Sequence, residues 1–234
     1  MPAITIHSVP TSGATIVGDL TPAPAIRSEI DALWEAAIRQ SPDLFDGPVL
    51  SAISLTAERL ELVRASYRHV VAARRSPRLN EFLRLRPLAV SGILTCPQGV
   101  VLGRRGGVVS QNAGLWELAP SGGVEYDAAD VEPDFAAQIL KELREEIGLA
   151  PDHVRIGSSI GMIEVAESAC IDMVIPLATD LSAEEIVAVH RALEGAEYSE
   201  LRIAAPYELR GWPELVPESK AIIEKWICAP AGSP

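Results

Sequence analysis

Cysteine is scarce in this 234-residue chain: Cys96, Cys170 and Cys228 are odd in number and far apart. That spacing excludes a disulfide framework and a cysteine-based zinc site. The four histidines are equally scattered. Long apolar runs are missing too. No stretch approaches the roughly 20 residues of a membrane span, and the N-terminus lacks the basic region and apolar core of a signal peptide. The cytoplasm is the expected location, with no membrane partner. There is no internal repeat and no low-complexity segment. Positive charge is in short supply, with 20 Lys+Arg against 32 Asp+Glu and a net charge of −12. Residues 1–86 carry 10 Arg and 9 acidic residues, which leaves 10 basic and 23 acidic residues for the remainder. A duplex-binding protein needs a strongly basic face to replace counterions, so nucleic acid is excluded as a partner. The arginines between 64 and 86 are interleaved with Leu, Val, Ala and Tyr and read as the wet side of amphipathic helices.

Hydrophobic content of 48% supplies an ample core. The most informative stretch is Lys141-Glu142-Leu143-Arg144-Glu145-Glu146-Ile147-Gly148-Leu149. On an α-helix, positions 142, 145 and 146 are spaced i, i+3, i+4 and share one face. Three carboxylates so close raise one another's pKa unless a cation sits among them, and hard oxygen donors suit Mg²⁺ or Mn²⁺. The competing reading is a solvated acidic face. The apolar stripe Ala136, Ile139, Leu140, Leu143 and Ile147 predicts the helix, Pro133 and Asp134 suit its first turn, and Gly148 ends it. Upstream, residues 115–125 form an apolar run broken by Pro120, Ser121, Gly122 and Gly123. Strand, glycine loop and acidic helix make one unit.

The chain divides near Pro87. Before it, residues 25–40 read as an amphipathic helix with Ile26, Ile30, Leu33, Trp34 and Ala37 inside, 43–48 as a turn and 52–55 as a strand. Residues 57–75 fit both periods. After it, 88–95 and 99–103 read as a hairpin, 154–165, 171–178 and 201–204 as strands, and 183–193 and 217–227 as helices. Strands on both sides of a central helix imply an α/β fold with a mixed sheet flanked by helices. The boundaries are a small N-terminal α+β region, 1–86, and a main domain, 87–234.

These residues resemble the Nudix hydrolase signature, G-x5-E-x7-R-E-U-x-E-E-x-G-U with U aliphatic. Lys141 stands at the Arg position, Glu142 at the next Glu, Leu143 at the aliphatic, Glu145 and Glu146 at the paired acids, then Gly148 and Leu149. From Gly123 to Lys141 is 18 positions, about four more than the signature's spacing, and its acidic member falls on Glu132 or Asp134. The resemblance implies an α/β/α sandwich and Mg²⁺-dependent hydrolysis of a nucleoside diphosphate linked to a group X. It implies Glu142, Glu145, Glu146 and the Gly122 carbonyl as metal ligands, with Glu145 and Glu146 catalytic and Lys141 paired to a carboxylate of the cluster. A downstream acid is also implied. Glu185 with Glu184 is preferred, and Glu164 and Glu167 are alternatives. Arg104 and Arg105 are candidates to clamp a phosphate, Gly123 to line the substrate loop, and Trp116 either to stack on a base or to sit in the core.

Ile30-x3-Trp34, then Pro42-x-Leu44-Phe45-Asp46-Gly47-Pro48 and Tyr67, resemble the leader of Nudix proteins that hydrolyse UDP-glucose and UDP-galactose. A UDP-sugar is therefore the implied substrate. The alternative readings are a nucleotide-binding or regulatory module with weak turnover, and isomerisation of an isoprenyl diphosphate, which calls for a cysteine near the motif. A small-molecule nucleotide is the expected partner, with a homodimer left open.

Overall fold

The computed structural model describes residues 3–106 and 112–228. The N-terminal third is woven into the rest. β1 (Ile4–His7) joins the edge of the main sheet, while β2 (Ala14–Asp19), β3 (Pro48–Leu55) and β4 (Leu60–Ser66) form a small sheet in the order β2-β4-β3. Between β2 and β3 lies α1 (Pro24–Gln40), which starts on a proline whose missing N–H costs nothing there and buries Ile26, Ile30, Trp34 and Ala37. The ambiguous stretch 57–75 is both elements in turn, β4 and then α2 (Tyr67–Arg75). The switch falls at Ser66, whose N–H donates to His69 Nδ1 at 3.0 Å. A short α3 (Pro77–Leu83) follows. Ile16, Leu50, Leu60 and Leu62 of the small sheet merge with the core of the main domain. Each such buried aliphatic side chain contributes about 1.5–3 kcal/mol, so the two regions support each other.

The predicted hairpin is β5 (Leu88–Cys96) and β6 (Gly99–Arg105), joined through Pro97 and Gln98. Their ladder sets Thr95 opposite Val100 and Cys96 opposite Gly99, and then the strands part. β6 pairs with β7 (Trp116–Leu118) and β5 with β8 (Ser121–Gly123). The sheet is forked, and the fork opens where the glycine loop lies. α4 (Phe135–Glu142) continues into a π-helical turn (Leu143–Ile147). Then come β9 (Val154–Ile156), β10 (Gly161–Val165), β11 (Ile171–Thr179), α5 (Ala183–Arg191), β12 (Tyr198–Ala204), α6 (Pro206–Leu209) and α7 (Pro217–Ile222).

The main sheet runs β1-β10-β11-β5-β6-β12, with β11 parallel to β5 and antiparallel pairing elsewhere along it. Strand alternation divides two cores. Met173, Ile175 and Leu177 of β11 join Ile139, Leu143, Ile147 and Ile186 of α4, the π turn and α5, whereas Val174 joins Ile222 and Ile223 at α7. Helices therefore cover both faces of a mixed sheet, as the sequence implies. The single strand expected over 154–165 is two. Both pair with β11, but the interruption lies opposite Pro176, which has no N–H to give. No helix among the described residues is long and apolar enough to cross a membrane.

Candidate active site

The acidic helix starts on Asp134, whose carboxylate accepts the Ala137 N–H at 2.8 Å. Asp134 is thus an N-cap, just outside the first turn rather than in it. The inward row runs in four-residue steps from Phe135 through Ile139 and Leu143 to Ile147, which turns Ala136, expected on that stripe, out to solvent. From Leu143 the backbone widens into the π-helical turn, and Gly148 closes it at φ 85°, a left-handed conformation glycine adopts without strain.

That widening rearranges the acids. Bonds from i to i+5 wind more residues into each turn, so a four-residue step nearly completes one and a three-residue step falls short. Glu146 consequently stacks with Glu142, both facing inward, while Glu145 is exposed. Of the three carboxylates expected on one face, two turn inward and Glu145 stands at its solvent edge, still close enough for its charge to act on Glu142.

Gly122 sits against Glu142, the outer member of this pair. A Cβ placed on it would lie 2.2 Å from the Glu142 carboxyl carbon. Glu142 accepts from Gln138 Nε2 at 2.6 Å, and Gln138 Oε1 in turn accepts the Glu125 N–H at 3.1 Å. Glu146 accepts from the Ser121 N–H at 2.9 Å and the Tyr198 hydroxyl at 3.1 Å. Gln138 and Tyr198 are positioning residues that the sequence reading missed. Tyr198 reaches the site because Gly103 beneath its ring has no side chain; a Cβ there would stand 2.6 Å from the ring. Burial, reinforced by the nearby Glu145 charge and eased by Gln138, pushes Glu142 up to about 7. Glu146 is driven well above the usual carboxylate range by burial, with the Ser121 N–H opposing and Glu117 and Glu142 adding to it. Glu117 reaches about 7 through burial against the pull of Arg105.

Glu142 lines one wall of a cleft of about 1310 Å³, open mouth included, between the N-terminal region and the fork of the sheet, and Glu146 is buried behind it. Gly122, Gly123, Glu125 and Glu142 face Phe45, Val49, Tyr67 and Val70 across it, with Arg74 and Arg105 at one end. Phe45 is 78% exposed, and Trp34, which meets Tyr67 edge-on at 6.3 Å, is buried behind. Arg74 makes no ion pair among the described residues. It belongs to the arginines read as a wet helix face, and only the docking of α2 beside β8 gives it a site.

Several expected residues stand elsewhere. Lys141 pairs with Glu125 at 2.6 Å, on the glycine loop, instead of an acid of the helix cluster. Arg104 and Arg105 are adjacent on β6 and so point to opposite faces. Arg105 enters the cleft, held by Glu117 at 2.6 Å and Glu197 at 3.5 Å, whereas Arg104 bonds to the Gly114 carbonyl and lies over Trp116. Trp116 is a core residue, 5% exposed and edge-on to Trp212. Glu185 closes a capping box on α5 with Ser182, among Asp152, Arg155 and Asp180, outside the cleft. Glu184 begins that same helix, Glu164 is bound by Arg86 and His7, and Glu167 lies in the β10–β11 turn. Among the described residues no group of three His, Cys, Asp or Glu is arranged to hold a metal ion.

No family model matches the sequence, and no curated protein matches it. Among solved structures the chain is similar to a MutT protein from Methanosarcina mazei, with 18% identity, 58% of this chain and 89% of that one covered, and a TM-score of 0.45. It is also similar to the Nudix hydrolase RenU from M. smegmatis, with 17% identity over 59% and 82% of the two chains and a TM-score of 0.43. An Ap4A hydrolase of C. elegans shares 13% identity over 58% and 93%, with a TM-score of 0.37.

Proposed function

We propose that this chain is a Nudix-type pyrophosphohydrolase that cleaves the diphosphate of a nucleoside diphosphate linked to X, a UDP-sugar being the candidate substrate, by attack of water on phosphorus. The observation that carries this reading is the packing of side-chain-free Gly122 on the Glu142 carboxyl, with Glu146 held behind it by the neighbouring Ser121 N–H, at the wall of an open cleft with two guanidinium groups. The donor set fits a hard divalent cation. Burial first, and then the neighbouring carboxylates, raise the proton affinity of these oxygens, and a cation among them offsets both. Glu142, Glu146 and the Gly122 carbonyl would hold Mg²⁺ or Mn²⁺, with Glu145 turning in from the exposed side of the π turn. When bound, the metal lowers the pKa of a bound water and neutralises phosphate charge.

The remaining work falls to the chain's own groups. Arg105, fixed by Glu117 and Glu197, and Arg74 orient phosphate oxygens. Gln138 and Tyr198 hold the two inward carboxyls by hydrogen bonds, which sets their geometry before substrate arrives. Lys141 ties the helix to the glycine loop through Glu125. Phe45, Tyr67 and Val49 offer an apolar wall on which a nucleobase can stack. Incubation with Mg²⁺ and a panel of nucleotide sugars, dinucleotides and nucleoside triphosphates tests the proposal. Release of two phosphate esters, abolished by EDTA, supports it; no turnover of any member refutes it.

A further inference from the structure

A second pocket opens beside the cleft, about 560 Å³ with its mouth, and shares Arg74, Arg105, Ser121 and Cys170 with it. Its lining consists of hydroxyls, carboxylates, an amide, a thiol and the two guanidiniums, and Val216 is its aliphatic member. At the back lies Asp172 of β11, 5% exposed. Ser91 of β5 donates to Asp172 Oδ1 at 3.0 Å. Asp172 Oδ2 is buried with no hydrogen bond of good geometry, and the Cys170 thiol beside the carboxyl is only a weak donor. A buried acceptor without a good donor is costly, more so when charged, and such an atom next to a substrate cleft marks a place where a ligand supplies the bond.

We infer that this pocket receives a polyhydroxylated group, a sugar ring, as the X of the diphosphate, and that Asp172 accepts a hydroxyl from it. The inference rests on the hydrolase reading for the placement of the diphosphate. The lining decides between ligand classes. A nucleobase or acyl chain needs an apolar slot, which the pocket does not offer and the Phe45–Tyr67 wall does. Sugar hydroxyls both donate and accept. They can give to Asp172 and Glu117 and receive from Arg74 and the serines. Glycine loop and guanidiniums lie between the two chemistries, as a diphosphate would between nucleoside and sugar.

The test compares a nucleoside diphosphate hexose with the methyl ester of the same nucleoside diphosphate, on the full chain and on Asp172→Asn. The variant is expected to lose about ten- to a hundredfold in kcat/KM for the hexose substrate and to keep its rate on the methyl ester. An unchanged ratio between the two substrates overturns the inference. Binding to the wild type gives a readout that needs no variant to fold. By ligand-observed NMR, hexose 1-phosphate should bind about tenfold more tightly than methyl phosphate, and equal affinities overturn the assignment. Tighter binding of hexose 1-phosphate in a protein that hydrolyses no nucleotide would keep the pocket and discard the hydrolase.

Discussion

Gly122→Ala isolates the glycine loop's role, because Gly123→Ala next to it serves as the control. The backbone at Gly122 is not left-handed, so alanine brings no conformational strain. Its Cβ would lie 2.2 Å from the Glu142 carboxyl carbon and 2.3 and 2.6 Å from the two carboxylate oxygens. Restoring ordinary contact at about 3.4 Å moves the carboxylate by about 1.2 Å. A misplacement of that size costs on the order of 10²-fold in rate, or about 2.7 kcal/mol of transition-state stabilisation. The atoms that must yield are the end of a flexible side chain, so folding is spared and stability should change by less than about 1 kcal/mol. A Cβ on Gly123 meets nothing within 4 Å. Steady-state kinetics at saturating Mg²⁺, with thermal melts alongside, should show a fall in kcat for Gly122→Ala, a near-wild-type Gly123→Ala, and similar melting temperatures for all three. Equal activity of the two variants would refute the placement of Glu142 in the chemistry.

Glu146→Gln should lower kcat by about 10² to 10⁴, and Glu145→Gln by less, since Glu146 alone of the two is buried and held by Ser121 and Tyr198; wild-type rates for both would contradict the site. Without metal, thermal stability should fall as pH rises from about 4.5 through about 7. Glu142, Glu117 and Asp172 each keep a proton to about 7 in the folded protein and release it nearer 4 when unfolded, so the folded state binds more protons in that window. Melts from pH 5 to 8 in EDTA check this, and a melting temperature that climbs with pH would count against it. Trp116→Ala should destabilise the fold by about 3–5 kcal/mol, and Trp116→Phe should leave KM unchanged, because the indole is buried away from the cleft. Glu185→Gln should leave kcat alone and change the melting temperature only slightly, since its part in the cap on α5 is solvent-exposed; a large loss of kcat would restore it as a catalytic acid.

The parts of the molecule legible in the sequence are those whose cause is local. The row Ile139, Leu143, Ile147 fixes which side of the acidic helix faces the sheet, Gly148 ends it, and Pro97 and Gln98 turn the hairpin. The π-helical turn leaves no such trace, since over five residues the periods of α and π windings are too alike to separate, and an α-helical reading turns Glu145 inward with Glu142 and Glu146. The remaining contributors are brought in from afar. Tyr198 reaches Glu146 across 52 positions, Ser91 reaches Asp172 across 81, and Arg74 enters the cleft through the docking of α2. Long-range strand pairing, with β11 beside β5 and β12 beside β6, makes those encounters, and periodicity does not encode it. Trp116 and Arg104 show the converse error. Trp116 precedes the glycine loop and Arg104 adjoins the cleft residue Arg105, yet strand alternation sends both to the opposite face.

The central claim, water attacking phosphorus at the Gly122–Glu142–Glu146 cluster, is tested most directly by turnover of a nucleoside diphosphate sugar in ¹⁸O-labelled water with Mg²⁺. Mass spectrometry of the products should find one labelled oxygen on a single phosphate ester, and its appearance should stop with EDTA and drop about 10²-fold with Gly122→Ala. Products that carry no label, or labelling that proceeds unchanged in EDTA and in the variant, would contradict the account.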